Sequence, residues 1–369
     1  MFKRTLIAAS LTVAALASAQ AMAVTGGGAT LPAALYKGSA DSILPANFSY
    51  AAIGSGGGKT AFLTNNPAGL SASGTVHFAG SDSILSTAEL NTYTTTYGAS
   101  FGPLIQLPSV ATSVAIPYKK AGQTALNLTS AQLCDAFSGA KTTWGALLGT
   151  ADTTPIRVVY RNVSSGTSEI LTRHLNSVCP AQFTTNSTFT AARVGGGALP
   201  TGWVGVANTS DVATTVNAVD GSIGYVGPDG VDATSNAVVA RVNGVQPTSL
   251  NVTLALSSVA APSTAAQAVN PANWSPVVAN PALGYKLAAY TNFIFGQCYK
   301  DAAVAASVKA FLTTHYSIPG NNAATQAHKF VAVPDSWKNA VTANFITNTS
   351  GNNLDINNTT VCNTIGRPL

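Results

Sequence analysis

Two apolar patterns alternate along this chain. Short runs rich in β-branched residues read as strands: Val76–Gly80, Val110–Ile116, Ile156–Tyr160, Ile223–Val226 and Leu287–Ile294. Segments with helical spacing lie between them: Leu31–Ser42, Lys59–Leu63, Ser130–Phe137, Ser168–Ser177 and Asp301–His315. Alternation of this kind predicts an α/β architecture. Two of the strand-like runs, Pro108–Pro117 and Tyr285–Phe295, stand about 175 residues apart, and the stretch between them has its own strands and its own cysteine pair. That order predicts one domain inserted into another, with the chain crossing between them twice. No internal repeat is evident, and the Ser-, Ala- and Pro-rich tract 248–280 reads as a long surface excursion.

The first 23 residues have a different grammar. Lys3 and Arg4 precede a short apolar stretch, and Ala21-Met22-Ala23 offers small residues for cleavage, as in an export signal. The stretch is too short to span a membrane well. No Cys precedes Cys134, which argues against a lipid anchor. The expected product is a soluble periplasmic or secreted chain with no membrane insertion. Cleavage after Ala23 takes 23 of 369 residues and, by removing Lys3 and Arg4, lowers the net charge from +5 to +3. Only 8% of residues are charged, against ~25% in ordinary soluble domains. There is no basic tract, so nucleic acid is not an expected partner. Any anion must be held by a local constellation.

Four cysteines, Cys134, Cys179, Cys298 and Cys362, allow three pairings, and pairing neighbours gives Cys134–Cys179 and Cys298–Cys362. No two lie close together and no His sits near any in metal-finger spacing, so no zinc site is expected. The four histidines, His77, His174, His315 and His328, show no paired spacing and read as packing or surface residues.

Four glycine-flanked stretches carry the candidate chemistry. In Gly26-Gly-Gly-Ala-Thr-Leu-Pro32, Thr30 stands ready to cap a helix whose first turn tolerates proline. In Gly54-Ser-Gly-Gly-Gly-Lys59, Ser55 adds a hydroxyl to a loop that permits close backbone approach. Asp82 follows a short strand in Ala79-Gly-Ser-Asp82. In Tyr160-Arg-Asn-Val-Ser-Ser-Gly-Thr-Ser-Glu169 a strand ends at Tyr160, and Ser165-Gly166-Thr167 opens a helix. Arg161 is placed to bind an oxyanion through parallel N–H bonds. Singly, each feature reads as a cap, a turn or a surface charge, and Lys59 as a solvated helix residue. Together they supply several helix starts able to face an anion. The Gly-Lys-Thr at 58–60 suggests a nucleotide loop, but the required first glycine falls on Ile53.

The segments GGGATLPAALY, GSGGGKTAFL, HFAGSDSILS, PSVATSVAIPYKKAG, VVYRNVSSGTSE, TNFIFGQCY and VCNTIGRP, in this order from Gly26 to Pro368, resemble the DING proteins. That family is a branch of the periplasmic phosphate-binding proteins of ABC importers. It takes its name from an Asp-Ile-Asn-Gly terminus, where this chain has Ala23-Val24-Thr25-Gly26. The resemblance implies a two-lobed α/β periplasmic binding fold, type II, whose mixed-sheet lobes are joined by two hinge crossings. Lobe I would comprise 24–112 and 288–369, and lobe II 113–287. It also implies a monomer that binds inorganic phosphate without cofactor or metal, and that either delivers it to an ABC permease or scavenges it outside the cell. Carried over motif by motif, the phosphate ligands are Thr30, Leu31 through its amide, Ser55, Asp82, Arg161, Ser165, Gly166 and Thr167.

Phosphate near neutrality always carries a proton, whereas sulfate carries none. An ionised Asp82 would accept that P–O–H and repel sulfate, and Arg161 would help hold it ionised. The competing reading is a secreted phosphatase with Ser55 or Ser165 as nucleophile, although neither lies in a Gly-x-Ser-x-Gly elbow. An extracellular adhesion protein would explain the Thr/Asn-rich composition but not the helix starts.

Overall fold

The computed structural model describes residues 24–368. The expected export signal lies outside the described residues.

Two main sheets form the two lobes, with a two-stranded parallel pair, Asn127–Leu128 and Arg241–Val242, beside the second. The first has six strands in the order Val331–Ala332, Leu104–Ser113, Ala288–Gly296, Phe78–Ser81, Gly26–Gly28, Ala51–Ala52. Its long central strands are buried at every position, because side chains from both faces enter apolar cores. One face packs on Phe48, Phe311, Trp337 and the helix Ala302–His315; the other packs on Phe62, Tyr93 and the helix Thr87–Phe101. The second sheet has four strands in the order Tyr118–Lys119, Ser222–Gly224, Arg157–Arg161, Val204–Val206. It carries a separate core around Phe137, Trp144, Phe189 and Tyr225.

The two lobes meet along Leu104–Ser113 and Ala288–Gly296, which pair antiparallel from Gly296↔Leu104 to Ala288↔Ser113. The ladder continues with Val114 N–H donating to Leu287 O at 2.9 Å. At Thr291/Asn292 the register shifts: Thr291 pairs with Val110 and Asn292 with Pro108, so Ser109 is the extra residue and the first of these strands bulges, while Asn292 also pairs with Ser81, next to Asp82; such irregularities re-aim side chains at a site.

Glycine makes the first lobe's site possible. Gly28 has φ +143, and a Cβ there would strike the Gly80 carbonyl. A Cβ on Gly58 would strike Gly27 and Gly28, so the helix Ser55–Leu63 lies directly on the strand.

Both bridges expected from neighbour pairing form: Cys134–Cys179 ties a helix to the end of Gly166–Val178, and Cys298–Cys362 ties the carboxyl-terminal tail to the first lobe. Among the described residues, no helix is long and apolar enough to cross a membrane. Two readings need correction. The tract 248–280 contains the helix Ser249–Leu256 and buries Trp274 completely, its indole N–H donating to Ala268 O, so part of it is core. The helix expected over Leu31–Ser42 is only Ala33–Tyr36, ended by Lys37 and Gly38 in non-helical backbone.

Candidate functional site

Each predicted site residue sits at an element's end facing the line between the lobes. Thr30 and Leu31 follow the strand Gly26–Gly28, Ser55 opens the helix Ser55–Leu63, and Asp82 follows Phe78–Ser81. From the second lobe, Arg161 ends its strand, and Ser165, Gly166 and Thr167 open the helix Gly166–Val178. The structure brings the whole set together across a closed cleft.

Arg161 is the hub. Its guanidinium is nearly inaccessible, and Nη1 donates to Thr30 Oγ1 at 2.9 Å, Thr209 Oγ1 at 2.8 Å and Ser165 Oγ at 3.2 Å. Nη2 donates to the Ala207 carbonyl at 2.5 Å, and Tyr225 Oη accepts from the Arg161 backbone N–H at 2.9 Å. Thr30 Oγ1 also lies 2.7 Å from Thr209 Oγ1, so these contacts join the lobes. Thr30 therefore serves as a cross-cleft acceptor. The helix cap expected of it does not form, because the helix starts beyond Pro32.

On the opposite side, Ser55 Oγ accepts from the Asp82 N–H at 3.1 Å and lies 3.4 Å from Asp82 Oδ2. Gly166 is pressed against this pair: a Cβ there would strike the Asp82 side chain and lie 2.6 Å from Ser55 Oγ. Leu31 packs on Gly227 of the second lobe in the same manner. Lys59 is buried rather than solvated, paired with Glu89 at 3.0 Å and donating to Ile84 O.

Three buried polar atoms in this cluster lack a hydrogen-bond partner: Asp82 Oδ1, Arg161 Nε and Thr167 Oγ1. Buried polar groups are ordinarily paired. The cleft residues thus leave over an acceptor, a cationic donor and a hydroxyl, the donor and acceptor types a protonated oxyanion needs.

The electrostatics depart from expectation in one respect. Burial raises the Asp82 carboxyl from 3.8 to about 7, and the pull of Thr291, Arg161 and Ser55 only partly offsets it. Arg161 does not by itself hold Asp82 ionised, because its charge is spread over four protein acceptors while the carboxyl loses nearly all its water.

Sequence reasoning missed Thr209, Ala207, Tyr225 and Thr291. Thr209 had a signal: Asn208-Thr-Ser-Asp211 is a cap followed by an acidic first turn, and it starts the helix Thr209–Ala218. Ala207 acts through its backbone carbonyl, Tyr225 through a hydroxyl reaching the Arg161 backbone from 64 positions away, and Thr291 lies at the register shift, none of which residue type announces.

A two-lobed α/β molecule shut over a buried Arg–hydroxyl–carboxyl cluster defines a solute-binding protein. The chain belongs to the PBP superfamily: the family model described as PBP superfamily domain matches residues 14–317. It is similar to alkaline phosphatase L of Pseudomonas aeruginosa PAO1, 64% identical over 369 residues with both chains fully covered. Among solved structures it is similar to a phosphate-binding protein from Stenotrophomonas maltophilia, at 49% identity and TM-score 0.87 over 94% of this chain and all of that one. It is also similar to a high-affinity periplasmic phosphate-binding protein, PfluDING, bound with phosphate at pH 8.5; identity is 42% and TM-score 0.87, with the same coverage.

Proposed function

We propose that this chain is an extracytoplasmic binding protein that closes over one inorganic phosphate ion and delivers it to an ABC permease. The observation that carries the reading is the shared cleft: Arg161 and Asp82, from different lobes, converge with unpaired buried atoms between hydroxyls and helix starts. Arg161, Thr30, Ser165 and Thr167 hold the oxygens, with the backbone at Leu31 and Gly166 completing the cradle. Asp82 and Ser55 take the protonated oxygen. Lobe boundaries near 112/113 and 287/288 put Thr30, Ser55 and Asp82 in one lobe and Arg161 to Thr167 in the other, so binding and closure are one event. The names of the two structural neighbours support phosphate as the ion. Calorimetric titration of ligand-stripped protein with phosphate and sulfate tests the reading. Tight phosphate binding with negligible sulfate binding is expected, and comparable affinity for both removes Asp82 from its role.

The second reading, phosphate-ester hydrolysis, is favoured by one local contact and one name. Ser55 Oγ lies 3.4 Å from a carboxyl that titrates near 7, a nucleophile beside a base. The relative at 64% identity is called alkaline phosphatase L. Turnover of a chromogenic phosphate ester that disappears in Ser55→Ala would carry this reading, turnover unchanged in that variant would remove Ser55 as the nucleophile, and no turnover by the wild type would end the reading.

A further inference from the structure

The closed cleft is not filled to its mouth. A chamber of about 280 Å³ adjoins the cluster, walled on one side by Leu31, Ala33, Ala34 and Ala52 and on the other by Asn208, Ser210 and Asp229. Thr30 and Thr209 belong to both spaces: their hydroxyls touch Arg161 Nη1 and also line the chamber. The volume falls just below the roughly 300–1,000 Å³ of pockets that bury drug-sized molecules, so it suits a fragment of a few heavy atoms. A bare tetrahedral ion held on Arg161 has no use for it.

The chamber's chemistry is selective. Asp229 is the charged residue in its lining, and burial raises its carboxyl to about 6, so it is an anion at neutral pH. His328 and Lys329 are the charged groups whose fields act on it. Lys329 is held elsewhere, its Nζ donating to the Val231 carbonyl at 2.8 Å, and His328 Nε2 contacts Asp41 at 3.1 Å. A carboxylate at the door of an anion site opposes a simple anion but complements a ligand that is anionic at one end and cationic at the other.

We propose that the site also takes phosphate monoesters of short amino alcohols, with the phosphoryl group on Arg161 and Thr30, the methylenes along the alanine wall and the ammonium on Asp229. This rests on the phosphate reading above. An ester dianion brings no proton for Asp82, so the contact requires either the ester monoanion or a protonated Asp82; both are populated slightly below neutrality.

The test is competition against radiolabelled phosphate by O-phosphoethanolamine and by ethyl phosphate, which has the same reach but no amine, at about pH 6.5. O-Phosphoethanolamine is expected to compete about tenfold or more better than ethyl phosphate, as for a hydrogen bond to a charged partner. Asp229→Asn is expected to erase that difference while leaving phosphate affinity unchanged. Ala34→Trp, at an exposed position on the chamber wall, is expected to weaken both esters and spare phosphate. Equal competition by the two esters, or no competition by either while phosphate binds normally, overturns this inference and leaves the phosphate reading intact. Failure of phosphate itself to bind overturns both.

Discussion

Replacing Asp82 with Asn separates the cost of burying a carboxyl from its use in recognition. The carboxyl is almost wholly buried, Oδ1 has no protein partner, and burial raises its pKa to about 7 against an ordinary 3.8. Between these values the native protein keeps a proton that the unfolded chain has released. Stability contributed by this group is therefore complete below pH 3.8 and falls as pH rises toward 7. At about 1.4 kcal/mol per pH unit, the gap amounts to roughly 4 kcal/mol, an upper bound. Asparagine does not titrate. Urea unfolding of stripped protein should show Asp82→Asn close to wild type at acid pH and more stable by up to about 4 kcal/mol well above neutrality. Recognition moves the other way. Losing a hydrogen bond to a charged acceptor costs about 1.5–3 kcal/mol, one to two decades in phosphate affinity, while the new amide donor favours sulfate. The phosphate-to-sulfate ratio should drop by about two to four decades in paired calorimetric titrations. If wild type loses no stability relative to the variant on raising pH, the buried-acid argument is wrong. If the ion ratio is unchanged, so is the selectivity argument.

Gly166→Ala puts a methyl against Asp82 and 2.6 Å from Ser55 Oγ. The variant should fold normally but resist closure, with phosphate affinity lowered about tenfold to a hundredfold, as for 1–3 kcal/mol of overpacking, and a larger radius of gyration by solution scattering. Lys329→Ala removes the bond from its Nζ to Val231 O across the cleft mouth. Phosphate release should quicken about two- to tenfold in stopped-flow measurements, with unfolding midpoints nearly unmoved. The double change Cys134→Ser with Cys179→Ser opens a bridge spanning 45 residues, for which chain entropy gives about 4 kcal/mol, and denaturant titration should find a loss of that order in the second lobe.

Much of the lobe cores, and the residues that gather at the cleft, were legible in the chain, because periodicity and residue type report burial and charge. The helices predicted at Ser130–Phe137 and Asp301–His315 appear as Ser130–Ser138 and Ala302–His315. Thr30, Ser55, Asp82 and Arg161 stood in motifs, and the structure gathers them. What escaped depends on partners far away in sequence. The helix Thr87–Phe101 was missed although it had signals: Ser86 and Glu89 form a capping box, and Leu90, Tyr93, Tyr97 and Phe101 make a narrow stripe, diluted by threonines, of which only Tyr93 is fully buried. Thr30 is a cross-lobe acceptor only because Arg161 and Thr209 arrive from the other side. The raised Asp82 pKa follows from burial in the closed fold, a quantity with no local signature.

Arg367 carries a consequence for the order in which this molecule is completed. Its buried guanidinium lies over the Phe62 ring at 3.6 Å and donates to Val76 O at 2.7 Å and Phe62 O at 2.9 Å, reaching back 291 and 305 positions. A chain growing from its amino end thus holds an unfinished first lobe until position 367 has been made, however early its glycine strand emerged. The second lobe, contiguous in sequence, is under no such delay. Nascent chains stalled short of that arginine should show protease resistance confined to the middle of the polypeptide.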